Sequence, residues 1–224
     1  MRLLRQNETN GRKGIILFFT GWGMDPAATA HLDAGDYEVR TFWDYTALPD
    51  ALPDALPRDR ELHLVAFSLG VWAAAQLPWE PGSLRSALAL NGTLAPRDDT
   101  QGIPPAVFDG TAENWLLPRA RERFLFRMTG SPSAAQEFSY GTRTPEDQKA
   151  ELEAIARACQ KAAEPPTPQK CPYTRALIGT RDRIFPPQTQ RLAWENAGVT
   201  ITEREVPHHC LASLNSWEEV LSLA

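Results

Sequence analysis

Ser68, Asp182 and the adjacent pair His208 and His209 are the residues whose types suit chemistry, and they lie far apart along the chain. A serine hydroxyl is a poor nucleophile at neutral pH. It needs an imidazole to take its proton, and the imidazole needs a carboxylate to fix its tautomer and stabilise its cation. The set therefore points to acyl transfer through a covalent serine intermediate, with either histidine as the base. Each residue alone has a plainer reading: a serine in a strand-to-helix turn, a turn-capping aspartate, two solvated loop histidines. Jointly, and in this order, catalysis is the better account. The chain has four histidines, His31, His63, His208 and His209, with no Asp, Glu or Cys at metal-ligand spacing, so no metal and no cofactor is expected. His63 falls within a strand and reads as structural, while Cys210 lacks the turn that would present it as a nucleophile.

Such residues work only if a fold brings them together, and each follows an apolar run. Leu64-Val65-Ala66-Phe67 meets Ser68, then Leu69-Gly70 and the helix-forming Val71-Trp72-Ala73-Ala74-Ala75, which reads as strand, sharp turn and helix. This is the setting of a nucleophile elbow of the type G-x-S-x-G, with Ala66 in place of the first glycine. Residues 14–20 read as a buried strand running into Gly21-Trp22-Gly23, a turn whose backbone can approach a ligand closely. Strands are also expected over 1–6, 37–43, 83–90, 173–178 and 199–206, the last three ending at Asn91-Gly92-Thr93, at Gly179-Thr180-Arg181-Asp182 and at Pro207-His208-His209. Residues 7–13 form a polar turn, and helical pieces are expected over 26–32, 187–197 and 216–223. The local repeat within 47–57 suggests a turn and a short helix start. Alternation of strands and helices gives an α/β class with a mostly parallel, doubly wound sheet, whose ligands bind beyond the carboxyl ends of the strands. Ser, then Asp, then His is the chain order of the α/β-hydrolase fold.

Residues 95–170 break the pattern: prolines punctuate helical stretches and no strand is evident. The expected organisation is a core of residues 1–94 and 171–224 carrying a helical lid over 95–170, which would cover a pocket and exclude water. Within it, residues 115–128 read as an amphipathic helix restarted or kinked at Pro118. Leu116, Ala120, Phe124 and Met128 share one stripe, with Arg119, Arg123 and Arg127 on the next. The helix over 145–163 reads as charged and unremarkable.

The 224 residues, 42% of them hydrophobic and 23% charged, suit one globular core with an insertion. A formal net charge of −5 argues against nucleic acid as a general partner. The opening residues lack an apolar stretch of signal-peptide length, and nothing reads as spanning a membrane. Three cysteines without paired spacing read as reduced thiols, so a cytoplasmic location is expected.

Several segments together, Phe18-Phe19-Thr20-Gly21-Trp22-Gly23-Met24-Asp25, Ala66-Phe67-Ser68-Leu69-Gly70-Val71-Trp72, Asn91-Gly92-Thr93, Phe124-Leu125-Phe126-Arg127-Met128, Gly179-Thr180-Arg181-Asp182-Arg183 and Pro207-His208-His209-Cys210-Leu211, resemble the short α/β-hydrolases of biotin synthesis. These are the pimeloyl-[acyl-carrier protein] methyl ester esterases. The resemblance implies Ser68 as nucleophile, Asp182 as acid and His208 as base, with His209 as the fallback. It implies the backbone amides of Trp22 and Leu69 as an oxyanion hole. It also implies an acyl carrier protein as partner, which Arg119, Arg121, Arg123 and Arg127 would dock. Thr20 and Leu211 depart from the family pattern, at positions where relatives carry histidine and an aromatic residue. The rival readings are an acyl thioesterase or general short-chain carboxylesterase, and a non-catalytic acyl-carrier or ligand-binding protein on the same fold.

Overall fold

Two hexapeptides, β2 (Gly14–Phe19) and β4 (Leu62–Phe67, apolar but for His63), have every residue buried, so they must lie in the middle of a sheet covered on both faces. The computed structural model describes residues 1–8, 13–52, 56–161 and 171–223. Its seven-stranded sheet has the order β1-β3-β2-β4-β5-β6-β7, where β1 is Arg2–Gln6, β3 Tyr37–Trp43, β5 Ser86–Leu90, β6 Arg175–Gly179 and β7 Thr200–Arg204. All neighbouring pairs are parallel except β1 with β3. This is the α/β-hydrolase architecture. Ile15, Ile16, Leu17, Leu64, Val65 and Phe67 are fully buried, and each such side chain contributes about 1.5–3 kcal/mol over exposure.

β1 does not sit beside β2: it pairs antiparallel with β3, Leu3 opposite Phe42. Its mostly exposed residues, Arg2 and Arg5 among them, suit an edge. Residues 9–12 of the expected turn lie outside the described residues. The 47–57 repeat forms no helix among its described residues, and 53–55 lie outside them. The strands expected over 83–90 and 199–206 are trimmed to five residues each, and the helix expected over 26–32 shortens to a 3-10 turn, Pro26–Thr29, capped by Asp25.

Between β5 and β6 the chain forms α2 (Pro105–Asn114), α3 (Pro118–Thr129), α4 (Pro132–Glu137) and α5 (Pro145–Lys161), numbered after α1 (Leu69–Ala75) of the elbow. All four begin on a proline. Its fixed φ suits the first helical residue, and its missing N–H is one that the first turn cannot satisfy anyway. The expected helix over 115–128 therefore starts only at Pro118, with Trp115 buried at the end of α2. Gly130, in a left-handed conformation at φ 81°, ends α3. Helices α6 (Pro187–Ala197) and α7 (Trp217–Leu221) complete the fold. Among the described residues no helix is long and apolar enough to cross a membrane.

Candidate active site

Six of the seven strands run in one direction, and the segments that follow five of them meet at the carboxyl end of the sheet. Trp22 follows β2, Ser68 β4, Asn91 β5, Asp182 β6 and His208 β7. Ser68 stands between β4 and α1 at φ 57°, ψ −125°, a backbone state that a residue with a Cβ rarely adopts. The turn is anchored where the Ser68 amide donates to the Leu90 carbonyl at 2.9 Å. It is tight because α1 starts against the end of β2. A Cβ on Gly70 would lie 2.3 Å from the Thr20 carbonyl oxygen and 2.5 Å from that of Phe19, so only glycine fits there.

Ser68, His208 and Asp182 form one hydrogen-bonded line. The Ser68 hydroxyl and His208 Nε2 are 2.9 Å apart, and His208 Nδ1 is 2.8 Å from Asp182 Oδ2. A carboxylate only accepts, so Nδ1 carries the proton and Nε2 presents its lone pair to the hydroxyl. The three residues are 6%, 2% and 5% exposed, which shields the line from competing water. Asp182 is aimed by its surroundings: Oδ1 accepts from the Ile184 and Phe185 amides at 2.7 and 2.9 Å, and Oδ2 accepts from Gln190 Nε2 on α6 at 3.0 Å. The imidazole of His208 packs against the rings of Phe67 and Phe185.

His209 is not on this line. Its amide donates to the Met128 carbonyl, its ring contacts Phe138 and Phe67, and its buried Nε2 has no hydrogen-bond partner. Burial, with His208 and His31 nearby, pushes its pKa down to about 3, so it stays neutral. The fallback expectation for His209 thus fails on geometry. Cys210 is buried, with its thiol pushed up to about 12 by burial and by Asp182, which leaves no thiolate for nucleophilic chemistry. His63 is bonded to Ser86 within the sheet.

Trp22 and Leu69 line the same cavity as Ser68 and His208. Leu69 is the first residue of α1, so its N–H belongs to a helix start that has no intrahelical acceptor. The rest of the lining is largely apolar and comes partly from the inserted helices: Phe108 from α2, Phe124 and Met128 from α3, Leu152 from α5. Of the four arginines, Arg119 and Arg123 are exposed on α3. Arg127 is half-buried at the cavity beside Phe124, with its Nε lacking a partner. Arg121 donates to the Trp115 carbonyl at 2.9 Å and so fastens the α2–α3 turn. Among the described residues no group of three His, Cys, Asp or Glu side chains could hold a metal.

Sequence reasoning assigned no role to Asn91. It is fully buried at φ 45°, accepts from the Gly179 amide at 2.6 Å, and donates to the Pro207 and His208 carbonyls at 3.1 and 2.7 Å. It therefore joins the segments bearing Asp182 and His208. The signal was present as a polar residue directly after a buried strand, but its partners lie about 90 and 120 positions away along the chain. Gln190, on the buried face of α6, was missed for the same reason.

Comparison with known proteins gives a consistent picture. Residues 4–220 match the family described as "Pimeloyl-ACP methyl esterase BioG". A Bacteroides fragilis protein named malonyl-[acyl-carrier protein] O-methyltransferase is 41% identical over 201 residues, 88% of this chain; the matched part is 40% of that protein's length. A Haemophilus influenzae protein is 32% identical over 205 residues, covering 91% of this chain and 92% of its own. The crystal structure of BioG from Haemophilus influenzae superposes with a TM-score of 0.85 at 30% identity, covering 98% of this chain and 99% of that one. An enol-lactonase from Burkholderia xenovorans, with a TM-score of 0.64 at 14% identity over 99% of this chain and 92% of its own, shares the fold.

Proposed function

Since the chain belongs to the BioG family of pimeloyl-ACP methyl esterases, we propose that it is a serine carboxylesterase that hydrolyses the methyl ester of a pimeloyl group carried on acyl carrier protein. The observation that carries this reading is the hydrogen-bonded line Ser68–His208–Asp182 at 2.9 and 2.8 Å, opening on a mostly apolar cavity. The Bacteroides relative, which is named for methylating an acyl-carrier-bound acid, supports a carrier-borne methyl ester as substrate.

In the proposed mechanism His208 Nε2 takes the Ser68 proton as Oγ attacks the ester carbonyl carbon. The charge that develops on the carbonyl oxygen meets the amides of Trp22 and Leu69. Collapse expels methoxide, which takes the proton from His208 and leaves as methanol, with the acyl group now esterified to Ser68. Water then enters, gives its proton to His208, attacks the acyl carbon and releases the free acid, and Ser68 recovers its proton. Asp182 stays ionised and stabilises the imidazolium throughout. The apolar lining would take the methylene chain. Arg119 and Arg123, exposed on α3 beside the partly exposed Leu117 and Phe126, would receive the acidic carrier, and Arg127 would face the phosphate of its arm. The free thiols of Cys159, Cys171 and Cys210 suit the reducing cytoplasm, where we place the protein.

The triad does not discriminate between leaving groups, so an acyl thioesterase is the nearest rival. Presenting carrier-linked pimeloyl methyl ester and following methanol against free carrier thiol separates the two. The proposal predicts methanol release with the thioester intact; thiol release without methanol would make it a thioesterase.

A further inference from the structure

The turn Gly21-Trp22-Gly23 is gripped from outside the sheet by α5. The Trp22 indole N–H donates to the Gln148 backbone carbonyl at 2.6 Å, and the Gly23 amide donates to Glu151 Oε2 at 3.0 Å. The Gln148 side-chain amide donates to the Gly23 carbonyl at 3.1 Å, while its Oε1 accepts from the Trp115 indole at 3.0 Å. Both polar backbone groups of Gly23 are thus bonded to one helix. Gly23 itself is at φ 73°, and because glycine has no Cβ its backbone could take other conformations unless something holds it in this one. The second carboxylate oxygen of Glu151 accepts from the Tyr45 amide at 2.7 Å, and the Tyr45 hydroxyl donates to the Thr20 carbonyl at 2.9 Å. The turn is held on both sides of Trp22.

A helix that only roofed a pocket would seal it with apolar groups, as α5 does with Leu152, backed by the buried Ile155. Glu151 and Gln148 are instead 1% and 2% exposed in the same stripe. Placing a carboxylate there is unfavourable in itself: burial raises its pKa, and Arg143 at 3.2 Å offsets this only in part. What the pair supplies, and apolar packing cannot, is a fixed direction for peptide groups. Resting on the assignment of the Trp22 amide as an oxyanion donor, we propose that Glu151 and Gln148 are positioning residues that orient the Gly21-Trp22-Gly23 turn, so that the inserted segment completes the oxyanion hole as well as covering the cavity.

The test compares wild type, Glu151→Gln and Gln148→Met, with Ser68→Ala as the control for the site itself. Three quantities are read: kcat and KM for a methyl ester, thermal midpoint, and Ki for a trifluoromethyl ketone whose serine adduct carries a tetrahedral oxyanion. Misdirecting one oxyanion donor should lower kcat by about tenfold to a hundredfold with KM within about twofold, and should weaken the ketone by a matching factor. A purely structural role would lower the midpoint while leaving kcat per folded molecule and Ki unchanged, and that result would overturn the assignment. So would failure of both variants to fold, which would make the cluster a stability element. If wild-type hydrolysis does not depend on Ser68, the reading of the site falls first and this assignment with it. If it does depend on Ser68 while both variants keep kcat and Ki, only the positioning role is lost.

Discussion

Ser68 adopts a backbone state that costs on the order of 1–3 kcal/mol, and the surrounding turn holds it there so that the hydroxyl meets His208 rather than the core. The two neighbouring histidines show how one position decides a role. His208 faces a carboxylate and a hydroxyl, whereas His209 faces Phe138 and Phe67. With the folded pKa of His209 near 3 and an ordinary value near 6.5, the unfolded chain binds a proton that the folded protein refuses anywhere between these values. Stability therefore rises with pH across that window and is lost as pH falls from about 6.5, by about 1.4 kcal/mol per pH unit for one proton. Denaturant melts of wild type and His209→Phe between pH 7 and 5 should show a shallower loss in the variant, which should also keep its esterase activity. Equal slopes, or loss of catalysis, would contradict the role given to His209. The serine, aspartate and histidine pair were legible because their types and order are diagnostic. Choosing between the histidines from the residues alone was not, since neighbours in sequence share every local signal and differ only in what the fold turns them towards.

At the scale of elements, the site depends on strand ends being tied to one another. Asn91 does this for β5, β6 and the segment after β7 through three hydrogen bonds. Asn91→Ala would leave the Gly179 amide and the His208 carbonyl without that partner, each unsatisfied group costing about 1–3 kcal/mol. A thermal midpoint lower by several degrees, together with kcat down at least about tenfold, is expected; a variant with wild-type kcat would show that Asn91 supports the fold and not the line. Most strands were readable from short apolar runs, because the central ones are buried on both faces. The antiparallel place of β1 was not, since pairing is settled by distant partners rather than by its own residues. Helix α5 shows the complementary limit. Its Gln148 and Glu151 fall at helical spacing with Leu152 and Ile155, so a polar pair sat inside an apolar stripe. Composition made the helix look ordinary, and only its position over the Gly21-Trp22-Gly23 turn gives that pair a purpose.

Taken as a whole, the molecule has a net charge of −5, so an acidic carrier would be repelled unless it approached a basic patch. Arg119 and Arg123 are the exposed cations on α3, the helix that also lines the cavity with Phe124 and Met128, while Arg121 is tied to Trp115. Arg119→Glu with Arg123→Glu should raise KM for the carrier-linked ester by about tenfold or more at low salt, with less difference at high salt, while a free methyl ester is hydrolysed as by wild type. Equal effects on both esters would remove α3 as the docking face. The central claim is that Ser68 is the nucleophile, activated by His208, and active-site labelling tests it most directly. Wild type, Ser68→Ala and His208→Ala would be treated with a fluorophosphonate, and the modified peptide mapped by mass. A single adduct on Ser68 in wild type, absent from the first variant and greatly slowed in the second, is the predicted result; no adduct, or one on another residue, would contradict the account.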